Sequence, residues 1–96
     1  MSILEAVNLS IKTGQSAEFE SVFEQAEPLV QSIEGYLSHE LQRCLEFEDQ
    51  YLLLIRWKNL EAHTQGFRGS PQYQQWKALL HHFYAPFPEV YHFEKV

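Results

Sequence analysis

Residues 36–57 read YLSHELQRCLEFEDQYLLLIRW, and their patterning decides the fold. Tyr36 to Leu45 alternates, with Leu37, Leu41 and Leu45 on one face beside His39 and Arg43. The acidic run Glu46 to Gln50 makes a turn. Tyr51 to Trp57 is the most hydrophobic stretch of the chain, and it predicts a strand near the centre of a sheet, covered on both sides. Two strands this close in sequence form a hairpin.

Working outward, Ile3 to Lys12 predicts a first strand. Ile3, Val7, Leu9 and Ile11 fall on one face, and Leu4, Ala6, Asn8 and Ser10 on the other. Thr13-Gly14 turns the chain into a helix capped by Ser16 and running to about Glu34. Its apolar stripe is Phe19, Val22, Phe23, Ala26, Val30 and Ile33. Pro28 removes a backbone hydrogen bond inside it and is expected to kink or split it. Gly35 stands where a left-handed residue ends a helix. Beyond the hairpin, Asn59 caps a short helix from Leu60 to about Gly66, with Leu60, His63 and Phe67 on one side. Ser70-Pro71 opens another, with Ser as cap and Pro in the first turn. Its stripe is Tyr73, Trp76, Leu80 and Phe83, and Pro86 and Pro88 end it. Pro88 to Val96 forms a fourth strand.

The order β-α-β-β-α-β, with the second helix in two pieces, is the split, ferredoxin-like arrangement of the α+β class, with one four-stranded antiparallel sheet. Helices cover one face of such a sheet. The other offers a broad apolar surface, which predicts a homodimer packed sheet to sheet, with the fourth strand placed to cross between subunits.

The 96 residues are read as one domain, 1–96. Seven basic against 13 acidic residues give a formal charge of −6, which argues against nucleic acid or a membrane surface as partner. At 45% apolar and 15% aromatic, the chain is too hydrophobic for disorder. Cys44 is the one cysteine, so neither an internal disulfide nor a cysteine zinc cluster is available. The start MSILEAVNL has no basic region followed by an apolar one, and no stretch approaches the roughly 20 apolar residues of a membrane span. A cytoplasmic location is the expectation.

Several segments together resemble the antibiotic biosynthesis monooxygenase domain family, whose members are dimeric α/β barrels. They are Gly35-Tyr36-Leu37, Tyr51 to Trp57, Leu60 to Thr64 with Phe67 to Ser70, Trp76 followed by His81-His82-Phe83, and Pro88 to Phe93. The resemblance spans nearly the whole chain. It implies a monooxygenase that uses O2 without metal, flavin or haem to oxidise a phenolic, anthrone-like or quinol-like aromatic. A phenol that loses its proton becomes an anion rich enough in electrons to reduce O2. The protein then needs an apolar cleft, a proton acceptor and exclusion of water. The alternative is a dimer that binds a small molecule without catalysis.

His63 is the first candidate for proton acceptor; a buried structural histidine is the competing reading. Asn8, polar within an apolar strand and flanked by small neighbours, is the second, since the resemblance implies an asparagine on the first strand holding substrate. A one-residue slip would reverse its face. Phe67, Tyr73, Trp76 and His81 are candidates for an aromatic wall against a flat ring, with plain core packing as the competing reading. Arg43 and Arg56 either stabilise a phenolate or pair with a nearby glutamate such as Glu5 or Glu40. His81 and His82 point about 100° apart on a helix, so they cannot share a metal from a regular helix, and there is no HExxH motif. His92 is expected at the dimer interface, and His39 to be structural. The branch of the family that degrades haem needs an axial histidine and a tryptophan. At the matching positions this chain has Lys77 and Phe67, which speaks against haem.

Overall fold

The computed structural model describes residues 2–96. The elements are β1 (Ile3–Ser10), α1 (Ser16–Gln31), β2 (Tyr36–Arg43), β3 (Gln50–Trp57), a short π-helix α2 (Ala62–Phe67), α3 (Pro71–Leu80) and β4 (Val90–Glu94), with a 3-10 turn at His81–Phe83. The strands form one antiparallel sheet in the order β2-β3-β1-β4. This is the ferredoxin-like α+β architecture.

The helices lie on one face because alternate residues of the two central strands are apolar there. Val7 and Leu9 of β1 are buried with Tyr51, Leu53, Ile55 and Trp57 of β3. They pack against Phe19, Phe23, Ala26 and Val30 of α1 and Trp76 and Leu80 of α3. The other face of β3 is not covered within the chain: Leu52 and Leu54 are half-buried and Arg56 is exposed. Tyr91 and Phe93 of β4 are exposed on this open face as well. β4 pairs with β1 of its own chain.

Local departures from expectation have local causes. Gln15, not Ser16, holds the cap position of α1, and the Ser16 hydroxyl bonds Asp49 instead. α1 runs unbroken through Pro28 because that residue lies in the last turn, where one lost hydrogen bond ends little. A register shift between Tyr36 and Ser38 turns Leu37 out to solvent, away from Leu41. Leu45 lies past the strand end and is exposed, as is Leu60. Asn59 does accept from the Ala62 N–H (2.9 Å), and Ser70 from the Tyr73 N–H (3.1 Å) with Pro71 next. Gly35 has φ +92°, and a Cβ there would stand 2.6 Å from the Ala62 Cβ, so only glycine lets α2 dock this closely.

Candidate functional site

Between the helix-covered face of β1 and β3, α2, α3 and the segment after the 3-10 turn lies a cavity of about 230 Å³. Three arrangements of sequence create it. The α2 segment is wound as a π-helix, and it turns both His63 and Phe67 inward, where each is buried. The stripe of α3 supplies Tyr73 and Trp76. His81, at the end of α3, lies edge-on to Tyr73 at 6.0 Å between ring centres. Phe67 stands near perpendicular to Tyr73 (5.2 Å) and Trp76 (5.5 Å), so the rings form a wall with their edges interlocked. His63, Phe67, Tyr73, Trp76 and His81 thus border one space, and their rings do not fill it.

Asn8 is not among them. It pairs across from Leu52 and is exposed on the open face of the sheet, because even-numbered residues of β1 point away from the helices. The expectation that it shares a cleft with His63 is corrected by this alternation. The odd-numbered position that does reach the cavity is Glu5, which is 5% exposed. Sequence reading offered it only as an ion-pair partner for Arg43 or Arg56, although its parity with Ile3, Val7, Leu9 and Ile11 was the signal: a charge on the apolar face of a strand.

Glu5 is held by two neighbours. The Trp57 indole N–H donates to its Oε1 at 2.9 Å, and Nε2 of His63 lies 3.4 Å from the same oxygen. The His63 ring stacks on Trp57, with centres 5.4 Å apart and planes 21° from parallel. On its far side, Nδ1 of His63 is 2.8 Å from Nε2 of His92. His92 therefore faces the helices and the cavity side, not the open face where an interface was expected.

Burial sets the chemistry of the pair. Loss of water pushes the Glu5 carboxyl up to about 7, against smaller opposing effects from the Trp57 hydrogen bond and the Arg68 charge. Loss of water, then the charges of Arg68 and His92, hold His63 down at about 3. At neutral pH His63 is thus an uncharged imidazole and a weak base, while Glu5 keeps its proton to a higher pH than an ordinary carboxyl. His81 is also shifted down by burial and by Lys77.

The remaining candidates lie elsewhere. Arg43 pairs with Glu20 at 2.8 Å on the surface, a glutamate of α1 rather than Glu5 or Glu40. Arg56 donates to the Ser2 hydroxyl. His39 bridges Tyr36 and Glu27, each at 2.5 Å, a structural role. His82 is exposed.

The sequence profile of the antibiotic biosynthesis monooxygenases matches residues 2–79. The chain belongs to the antibiotic biosynthesis monooxygenase family. It is 53% identical over 94 residues to the uncharacterized protein YczJ of Bacillus subtilis (strain 168), covering 98% of this chain and 99% of that one. A solved structure from Bordetella bronchiseptica, of a protein of the same family, has a TM-score of 0.94 at 32% identity, over 99% of this chain and 97% of the other. SnoaB, a cofactor-independent oxygenase from Streptomyces nogalater, has a TM-score of 0.86 at 20% identity, over 99% of this chain and 93% of the other. At that identity the likeness to SnoaB is one of fold. Among the described residues, no helix is long and apolar enough to cross a membrane.

Proposed function

We propose that the protein is a monooxygenase working without a cofactor, which oxidises a quinol-like phenol of one or two rings with O2. The observation that carries this reading is a buried carboxyl, Glu5, lining a cavity walled by aromatic rings, where loss of water pushes it above the ordinary carboxylate range. Family membership supports the reaction class. The volume supports the size: a cavity of roughly 150 Å³ accepts benzene, so about 230 Å³ suits one or two rings. That is small for a three-ring anthrone and far too small for haem.

In this reading the phenol O–H gives its proton to Glu5. The resulting anion passes an electron to O2, and the two radicals combine into a ring hydroperoxide. Loss of water leaves a carbonyl. For a quinol the sum is quinol plus O2 to hydroxyquinone plus water. One oxygen atom enters the ring, the other leaves as water, and all four electrons come from the substrate. Glu5 accepts the proton and His63 supports it, since the imidazole is too weak a base to act alone at pH 7. Phe67, Tyr73, Trp76 and His81 hold the ring and exclude water. The working unit is a homodimer joined through the open face of the sheet, where Leu37, Tyr91 and Phe93 are exposed.

The test is oxygen uptake with a panel of quinols, naphthols and anthrones, using His63→Ala and Trp76→Phe as controls. Consumption of O2 by the smaller rings, reduced in both variants, is the expected result. Binding of the panel with no O2 consumed would leave a non-catalytic binding protein in place of the enzyme.

A further inference from the structure

The line of polar groups that starts at Glu5 does not stop at the cavity wall. Nε2 of His63 faces the Glu5 carboxyl at 3.4 Å, and Nδ1 of the same ring faces Nε2 of His92 at 2.8 Å. His92 is half-buried on the edge strand β4. We propose that Glu5, His63 and His92 form a proton relay leading from the cavity to the sheet edge, in which His92 is the positioning residue that sets the tautomer of His63. This rests on the reading above, in which Glu5 takes the substrate's proton.

The relay has two states. With Glu5 ionised, His63 Nε2–H donates to the carboxylate and Nδ1 accepts from His92 Nε2–H. With Glu5 protonated, the carboxyl O–H donates to His63 Nε2, His63 Nδ1–H donates to His92 Nε2, and His92 carries its proton on Nδ1. Passing from the second state to the first releases one proton from His92 Nδ1. A proton that enters at Glu5 is thereby matched by another leaving at β4, and no imidazolium forms on the way. An uncharged imidazole can hold either tautomer, whereas a charged one would trap the proton. Burial and the Arg68 guanidinium disfavour the charged form of both rings, shifting His63 and His92 down.

The groups facing the relay agree with this. From β3 comes the Trp57 N–H, a fixed donor that leaves the second carboxylate oxygen for substrate. Arg68, just past α2, brings the cation that acts on Glu5, His63 and His92 alike. From α3 and the segment after it come Tyr73, His81 and Tyr84 on the cavity wall. The Tyr84 phenol is pushed up by burial and stays protonated.

Long-range 1H–15N spectra of the imidazoles, recorded on the full chain without ligand across neutral pH, test the relay apart from any oxidation. In the wild type, the protonated and unprotonated nitrogens of His63 exchange places with one midpoint, and His92 follows at the same midpoint. In Glu5→Gln the exchange is lost and each ring keeps one tautomer. A single His63 tautomer throughout in the wild type would overturn the proposal, and this measurement needs no variant to fold. A second arm measures oxygen uptake by His92→Phe. There kcat falls about tenfold or more while KM holds, and added imidazole restores part of the rate; an unchanged kcat would also overturn the relay. A tautomer switch without oxygen uptake by the wild type would keep the relay and reject the oxygenase. Uptake with a fixed tautomer would do the reverse.

Discussion

Replacing Glu5 by Gln removes the buried charge while keeping the shape and the Trp57 hydrogen bond. The carboxyl's ordinary value is 4.5, and burial pushes it up to about 7. At about 1.36 kcal/mol for each pH unit, the shift corresponds to about 3 kcal/mol. The sign follows from proton counts. Between 4.5 and 7 the folded protein holds a proton that the unfolded chain has released, so Glu5 lowers stability as pH rises through this window. Its contribution is fully present below the unfolded value and lost above the folded one. His63 acts oppositely: the unfolded chain gains a proton below 6.5 that the fold refuses down to about 3, so stability is lost as pH falls. In the wild type the two slopes offset each other between 4.5 and 6.5. In Glu5→Gln the His63 slope is no longer opposed by Glu5, and the downshifted His81 and His92 add to it in the same direction. Urea unfolding at fixed protein concentration, across this range, measures both. The variant should gain on the wild type by about 3 kcal/mol in total from the acid end to the alkaline end. A gap between the two that does not change with pH would refute the placement of a buried, reluctant carboxyl.

Trp76 is 5% exposed in the cavity wall, so Trp76→Ala should cost about 3–5 kcal/mol in unfolding free energy. The milder Trp76→Phe should bring three-ring substrates into use, read as a fall in their KM for oxygen uptake. Gly35→Ala meets both a positive φ and the Ala62 Cβ, and should lose about 1–3 kcal/mol by thermal or urea unfolding. Phe93→Glu puts a charge on the open sheet face, and should dissociate the proposed dimer to monomer in sedimentation, with helix content preserved.

The fold was legible because two periods were clear. Alternation from Ile3 and the apolar run Tyr51–Trp57 marked the central strands, and three-four spacing in Phe19, Phe23, Ala26 and Val30 marked the helix between them. Details that depend on a single residue of register were not legible. The shift beside Leu37 reversed that side chain, and nothing in YLSHELQR marks the bulge. The aromatic wall was half legible: Tyr73 and Trp76 follow from the helix period, but whether rings meet or leave a gap depends on packing between elements. Glu5 was readable from strand parity alone, yet its partners were not, since His63 and His92 reach it from elements far along the chain. Arg43 shows the same limit, finding Glu20 across the fold rather than a neighbour on its own sheet.

The pH profile of kcat/KM for oxygen uptake with a quinol tests most directly whether the Glu5 cavity performs the oxidation. An acid limb near pH 7 in the wild type, with a loss of about 10²–10⁴-fold and no such limb in Glu5→Gln, is the predicted result. A profile that tracks the quinol's own ionisation in both proteins, with equal rates, would contradict it.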